Sequence, residues 1–175
     1  LFERLMISGA SNLHANLIEV NNLNVFPVPD GDTGDNMYLT LKGGVEELCS
    51  KKGASLNDLA CAFKQGTLLN ARGNSGVILS QFFAGLVDGI IGREIISLSD
   101  FIDALKKGVK RAYGAVAVPV EGTILTVARE GVENSTAKAQ NFATIEDLCK
   151  DLLCEMQKSL AHTPELLPVL KEAGV

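Results

Sequence analysis

The chain has 175 residues, of which 46% are hydrophobic and 21% charged, and a formal net charge of -5. That length suits one domain with a buried core, and that balance excludes a disordered polar chain and a basic nucleic-acid-binding one. No apolar run reaches the ~18 residues of a membrane span, because "GVILSQFFAGLVDGIIG" is interrupted by Ser80, Gln81 and Asp88.

Apolar residues recur at helical spacing almost throughout. Phe2, Leu5, Met6, Leu13, Leu17 and Val20 make one stripe. Phe101, Ile102, Leu105, Val109, Tyr113 and Val116 make a second, and Leu148, Leu152, Leu153, Met156 and Leu160 a third. All three read as core faces. The spacing predicts helices over 2–21, 34–50, 56–70, 75–91, 99–117, 123–138 and 144–161, with a short one after Pro164. Asp32 or Thr33, Ser55, Asn74, Ser99 and Thr144 stand where helix N-caps belong. No run alternates with period two, and Pro119 makes "GAVAVPV" a connection and not a strand. The fold class is therefore all-α, a helical barrel or bundle of about eight helices.

Cys49, Cys61, Cys149 and Cys154 form no C-x-x-C pair and fall among helical residues, which predicts buried free thiols in a reducing cytosol. The two histidines, His14 and His162, are too far apart in sequence to suggest a zinc site.

The unusual stretch is "NVFPVPDGDTGDNM", residues 24–37, with three acids and no Lys, Arg or His. Asp30 and Asp32 alternate along an extended, Pro-led segment, and Gly31 and Gly34 let it bend so that both carboxylates could converge. Clustered carboxylates without a cation bind a metal, shift their pKa values or stay in water, and an all-oxygen set favours Mg²⁺ or Ca²⁺. An EF-hand is excluded, because glycine falls at the fifth loop position and Leu41 stands where the bidentate Glu belongs.

Mg²⁺ usually keeps coordination positions for phosphate oxygens. Walker-A and G-x-G phosphate loops are both missing, yet "ARGNSGV" at 71–77 opens a helix with Gly73, Asn74, Ser75 and Gly76. Such a turn presents backbone N–H groups and the positive end of a helix to an anion, and "TGDN" opens another helix in the same way. Each motif has a plainer reading: Asp32 or Thr33, and Asn74 or Ser75, serve as helix caps, and Arg72 is a surface charge. The functional reading rests on their co-occurrence.

"LNVFPVPDGDTGDNM", then "ARGNSGVILSQFFAG", then "EGTILTVAREG" resembles, in this order and over nearly the whole chain, the N-terminal ATP-binding domain of bacterial fatty acid kinase. That family is related to the nucleotide-binding L subunit of dihydroxyacetone kinase. The resemblance implies an all-helical barrel of antiparallel helices that holds ATP at one end through paired Mg²⁺ ions on the acidic loop. It implies Asp30 and Asp32 as magnesium ligands, with Asn24 near a third. It further implies Thr33, Gly34, Asp35 and Asn36 as a phosphate-side turn, and Gly73, Asn74 and Ser75 as a second phosphate contact. Gly122 and Thr123 fall to the nucleotide pocket and Arg72 to charge stabilisation. Asp35 departs from the family's usual Thr.

The resemblance implies a cytoplasmic kinase whose acyl substrate is carried by a separate fatty-acid-binding protein, with a homodimer of the full-length protein as a further expectation. Leu1 opens the chain in place of Met and "LKEAGV" closes it without a polar tail. Residues 1–175 are thus expected to be one kinase domain cut from a longer multidomain protein. Two other functions stay open: a dihydroxyacetone-type kinase subunit, and a non-catalytic nucleotide- or lipid-binding helical module.

Overall fold

A computed structural model describes residues 1–51 and 53–175. Among the described residues there is no strand, and nine α-helices follow one another: α1 (Phe2–Ala15), α2 (Leu17–Asn22), α3 (Thr33–Cys49), α4 (Leu56–Leu69), α5 (Gly73–Ile90), α6 (Leu98–Gly114), α7 (Ile124–Thr136), α8 (Ile145–Leu166) and α9 (Pro168–Ala173). The all-α expectation holds. Consecutive helices α3 and α4, α5 and α6, and α7 and α8 pack against each other across short connections, the arrangement of helical hairpins. The 115–123 stretch, which holds all of "GAVAVPV" except its first glycine, is a connection as expected.

Several boundaries differ from the periodic reading. The predicted helix 2–21 is two helices. The Nδ2 of Asn16 donates to the carbonyl of Asn12 at 2.8 Å, and this side-chain bond competes with the helical ladder and ends α1. The α5 helix begins two residues before the predicted start, so its N-cap position is Arg72 and Asn74 lies inside the first turn. Ser97, not Ser99, caps α6, in a reciprocal box with Asp100. Ser55 and Thr144 cap as expected.

Pro164 does not start a new helix; it lies inside α8, and the short last helix begins at Pro168. Proline cannot donate to the carbonyl four residues back, here that of Leu160. The hydroxyl of Thr163 takes over that acceptor at 2.8 Å, and α8 continues to Leu166.

The core has two parts. Ala60, Leu86, Val87, Ile90, Ala104, Leu105, Val132 and Leu148 form one, drawn from α4 to α8. Ala10, Leu41, Leu48 and Phe63 form the other, and the edge-to-face rings of Phe63 and Phe83, with centroids 5.2 Å apart, join α4 to α5 within it. Asp88 on α5 ties the neighbouring helices together, pairing with Lys64 of α4 at 2.9 Å and with Arg111 of α6.

Two expectations about burial are corrected. The cysteines are free, but Cys49, Cys149 and Cys154 are exposed and Cys61 is half-buried. Cys49 follows the fully buried Leu48, and one residue's rotation about the helix turns it toward water. Of the predicted core stripes, Leu5, Leu153 and Leu160 are exposed. The buried face of α8 runs instead through Leu148, Glu155, Ser159 and Thr163, so its second half is polar.

Candidate nucleotide and metal site

The acidic loop is held by two asparagines. The Oδ1 of Asn24 accepts the Asp32 N–H at 3.2 Å, while its Nδ2 donates to the Val28 carbonyl at 3.0 Å. One side chain thus ties Val28 to Asp32 across the stretch that carries Asp30. Asn21, at the end of α2, reaches the first turn of α3. Its Oδ1 accepts the Gly34 N–H at 2.7 Å and the Asp35 N–H at 3.2 Å, and its Nδ2 donates to the Asp35 carboxylate at 2.7 Å.

This changes the chemistry of both acids. Asp32 occupies the N-cap position of α3, yet its side chain makes no cap bond, because Asn21 has taken the donors an N-cap would satisfy. The plain capping reading of Asp32 therefore fails, and its half-buried carboxylate remains available. Asp35 is engaged by Asn21, which gives the unexpected acid at that position a structural partner. The α3 terminus also differs from the expectation, since two of the N–H groups expected to face an anion are already bonded to Asn21.

The start of α5 is different. Gly76 makes the first helical bond, to the Arg72 carbonyl at 2.9 Å, and no side chain caps the turn before it. Gly73, Asn74 and Ser75 thus offer the uncapped N–H groups and the positive end of an 18-residue helix. Thr40 bolts this terminus to α3: its hydroxyl donates to the Asn36 carbonyl at 2.7 Å and accepts the Arg72 N–H at 3.1 Å. The approach is close enough to require glycine, as a Cβ on Gly73 would sit 2.4 Å from Asn36 Nδ2 and one on Gly76 2.3 Å from Thr40 Oγ1.

These pieces open on one cavity of about 840 Å³. Asn24, Asp30, Asp32, Thr33 and Asn36 line it from the acidic side, and Gly73, Asn74 and Ser75 from the start of α5. Gly122 and Thr123 line it from the 115–123 connection. Of the residues singled out in the sequence, Gly34, Asp35 and Arg72 do not line it. Arg72 contributes its backbone to the junction with Thr40 while its side chain is exposed. Among the described residues no Lys, Arg or His lines it, and Asp30 and Asp32 are its acids. The rest of the wall is largely apolar, including Phe26, Met37, Val77, Ile78, Val116 and Leu167.

A family model described as the DAK2 domain matches residues 27–175. The chain belongs to the DAK2 domain family. The expected relation to the L subunit of dihydroxyacetone kinase stands with it. Among curated relatives, the chain is 46% identical over 177 residues to an uncharacterized protein of Staphylococcus saprophyticus. It is 45% identical over 175 residues to uncharacterized proteins of Staphylococcus aureus and Staphylococcus haemolyticus. Each alignment covers all of this chain and 32% of the relative, so the DAK2 domain described here spans about a third of the length of those proteins.

The donor set can be tested against a metal. Among the described residues no three His, Cys, Asp or Glu side chains converge. The cavity therefore offers two carboxylates and amide oxygens, too few for an all-protein calcium cage or a zinc site. The set fits Mg²⁺, which is commonly held by one or two carboxylates and completes its shell with water and substrate phosphate. Uncapped N–H groups on the same cavity fit the phosphates of a nucleotide.

Among the described residues no helix is long and apolar enough to cross a membrane. Sequence reasoning missed Asn21, and it missed Arg129, which bonds Tyr113 at 3.0 Å and Glu121 at 2.9 Å behind the Gly122–Thr123 wall of the cavity. The doublet Asn21-Asn22 is an ordinary helix-end signal, and nothing in it tells that its amide caps a helix starting at Thr33.

Proposed function

We propose that this DAK2 domain binds ATP with Mg²⁺ and transfers its γ-phosphoryl group to the carboxylate of a fatty acid carried by a separate fatty-acid-binding protein, giving an acyl phosphate for phospholipid synthesis. The observation that supports this reading best is that Asp30 and an uncapping Asp32 line the same cavity as the uncapped start of α5.

In this reading Asp30 and Asp32 would hold the metal, with Asn24 keeping their loop in shape and its amide oxygen as the third ligand. A bound Mg²⁺ supplies neutralisation of the charge on the transferring phosphoryl group. The N–H groups of Gly73, Asn74 and Ser75 take phosphate oxygens, helped by the Asn74 amide and the Ser75 hydroxyl. Thr33 and Asn36 face the phosphates from α3, and Gly122 and Thr123 bound the nucleotide on the other side. Apolar wall residues keep water from competing with the acceptor.

The bond between the γ-phosphorus and the β–γ bridging oxygen breaks, a bond from that phosphorus to a carboxylate oxygen forms, and ADP leaves. A carboxylate is already an anion at pH 7, so no base has to remove a proton from it. That agrees with a cavity without histidine. Arg72 lies outside the lining, and the reading assigns it no contact with the reacting groups.

The family match itself favours a second reading, a dihydroxyacetone-type kinase subunit that phosphorylates a hydroxyl of a small ketose on its partner. An alcohol must lose a proton, so the base would have to come from that partner. Incubation of the full-length protein with ATP, Mg²⁺ and either a fatty-acid-loaded or a ketose-loaded partner separates the two. Acyl phosphate trapped as a hydroxamate is the expected product, and phosphate appearing only on the ketose would overturn the acyl reading. A domain that binds ATP and transfers nothing to either would be a nucleotide-binding module.

A further inference from the structure

One wall of the cavity is the connection between α6 and α7, residues 115–123, and it is held by a polar cluster behind it. Gly122 donates its N–H to the Thr126 hydroxyl at 2.8 Å, and that hydroxyl donates in turn to Glu121 Oε2 at 2.7 Å. The same oxygen accepts from Arg129 Nη2 at 2.9 Å. Arg129 Nε donates to the Tyr113 hydroxyl at 3.0 Å, and that hydroxyl donates to Glu121 Oε1 at 3.3 Å. Arg129 also pairs with Glu133 at 3.2 Å and Glu130 at 3.5 Å, and Ser159 of α8 donates to Glu130 at 2.6 Å. Three elements, α6, the 115–123 connection and α7, therefore meet on one guanidinium, and α8 joins them through Glu130.

None of Thr126, Arg129, Tyr113 or Glu121 lines the cavity, while Gly122 and Thr123 do. Gly122 is buried at φ +82°, and a Cβ on it would lie 2.6 Å from the Cβ of Leu167, another wall residue. The turn is thus wedged against the α8–α9 junction on one face and latched to Thr126 on the other. Thr126 is fully buried, which leaves the Gly122 N–H no water to turn to if that hydroxyl is removed.

We infer that Thr126, Glu121 and Arg129 are positioning residues that set the Gly122–Thr123 turn against the bound nucleotide. The inference rests on the nucleotide reading above and goes beyond it, because these residues act on the site without touching it. Arginine suits the role, since its planar fork serves Tyr113 and Glu121 together, which a lysine ammonium cannot do in the same geometry.

The test uses the 175-residue chain with two readouts, amide hydrogen exchange at Gly122 and Thr123 and calorimetric ATP affinity in Mg²⁺. Thr126→Val removes the relay while keeping side-chain volume, and Thr126→Ser restores it. Glu121→Ala, at an exposed position, breaks the latch without opening a core void. The Val variant is expected to speed exchange at Gly122 and weaken ATP binding by about tenfold, the loss of one buried hydrogen bond. Glu121→Ala should act in the same direction, and Ser should stay near wild type. Unchanged exchange at Gly122, or wild-type ATP affinity in both Thr126→Val and Glu121→Ala, would overturn the inference alone. A wild-type chain that binds no ATP would overturn the proposed function and this inference with it.

Discussion

The side-chain oxygen of Asn21 accepts the N–H of Gly34 at 2.7 Å, across a loop of ten residues. A residue at the end of one helix thereby caps the next, and the aspartate at the cap position is left uncommitted. Asn21→Ala should remove the acceptor for two N–H groups and the donor to Asp35, at a cost of about 1–2 kcal/mol. In a chain of this length that lowers the melting temperature by about 2–8 °C. Calorimetric melting checks this, and an unchanged midpoint would remove Asn21 from the frame of the loop.

Two glycine substitutions separate helix propensity from close approach. Gly9 is exposed on α1 and nothing lies within 4 Å of a Cβ placed there, so Gly9→Ala should stabilise by about 0.5–1 kcal/mol. Gly76→Ala puts a methyl group 2.3 Å from Thr40 Oγ1 and should destabilise by about 1–3 kcal/mol, spreading the α3–α5 junction. Urea titration of both variants reads the two signs. A stabilised Gly76→Ala would mean that the junction is looser than described.

The buried polar half of α8 makes a pH prediction. Glu155 accepts hydrogen bonds from Lys158 at 2.6 Å and Lys138 at 2.9 Å, which pull its carboxyl from the ordinary 4.5 down to about 2. A depressed folded-state pKa stabilises above the unfolded value and is lost as pH falls through the folded one. Glu155 therefore contributes its full share above about pH 4.5, and that share disappears as pH drops from there toward 2. Glu155→Gln should flatten the acid limb of stability against pH in that window. Parallel limbs for the two proteins would show that the lysines do not hold this carboxylate.

The legible parts of the sequence were those governed by local rules. Helix existence followed from apolar spacing, and the caps at Ser55 and Thr144 from residue type. Ten of the residues singled out as a candidate site do line one cavity, because glycine-rich turns with uncompensated acids leave a local trace. What escaped depends on pairings distant in sequence. The leucines of α8 suggested an apolar face, yet its second half turns Glu155, Ser159 and Thr163 inward, since Lys138 and Glu130 come from elsewhere to satisfy the first two. Pro164 looked like a helix start because nothing local reveals that Thr163 relieves the carbonyl that proline abandons. The exposed cysteines sit beside buried neighbours such as Leu48, a distinction of 100° that composition does not carry.

The central claim is that the acidic loop and the start of α5 form one metal-dependent nucleotide site. Its most direct test is calorimetric titration of the chain with ATP, with and without Mg²⁺, for wild type and Asp32→Ala. The account predicts binding that requires Mg²⁺ and is lost in the variant, while the variant melts as a folded helical protein. Binding that survives both removal of Mg²⁺ and loss of the Asp32 carboxylate would contradict it, as would a folded wild-type chain that binds no ATP.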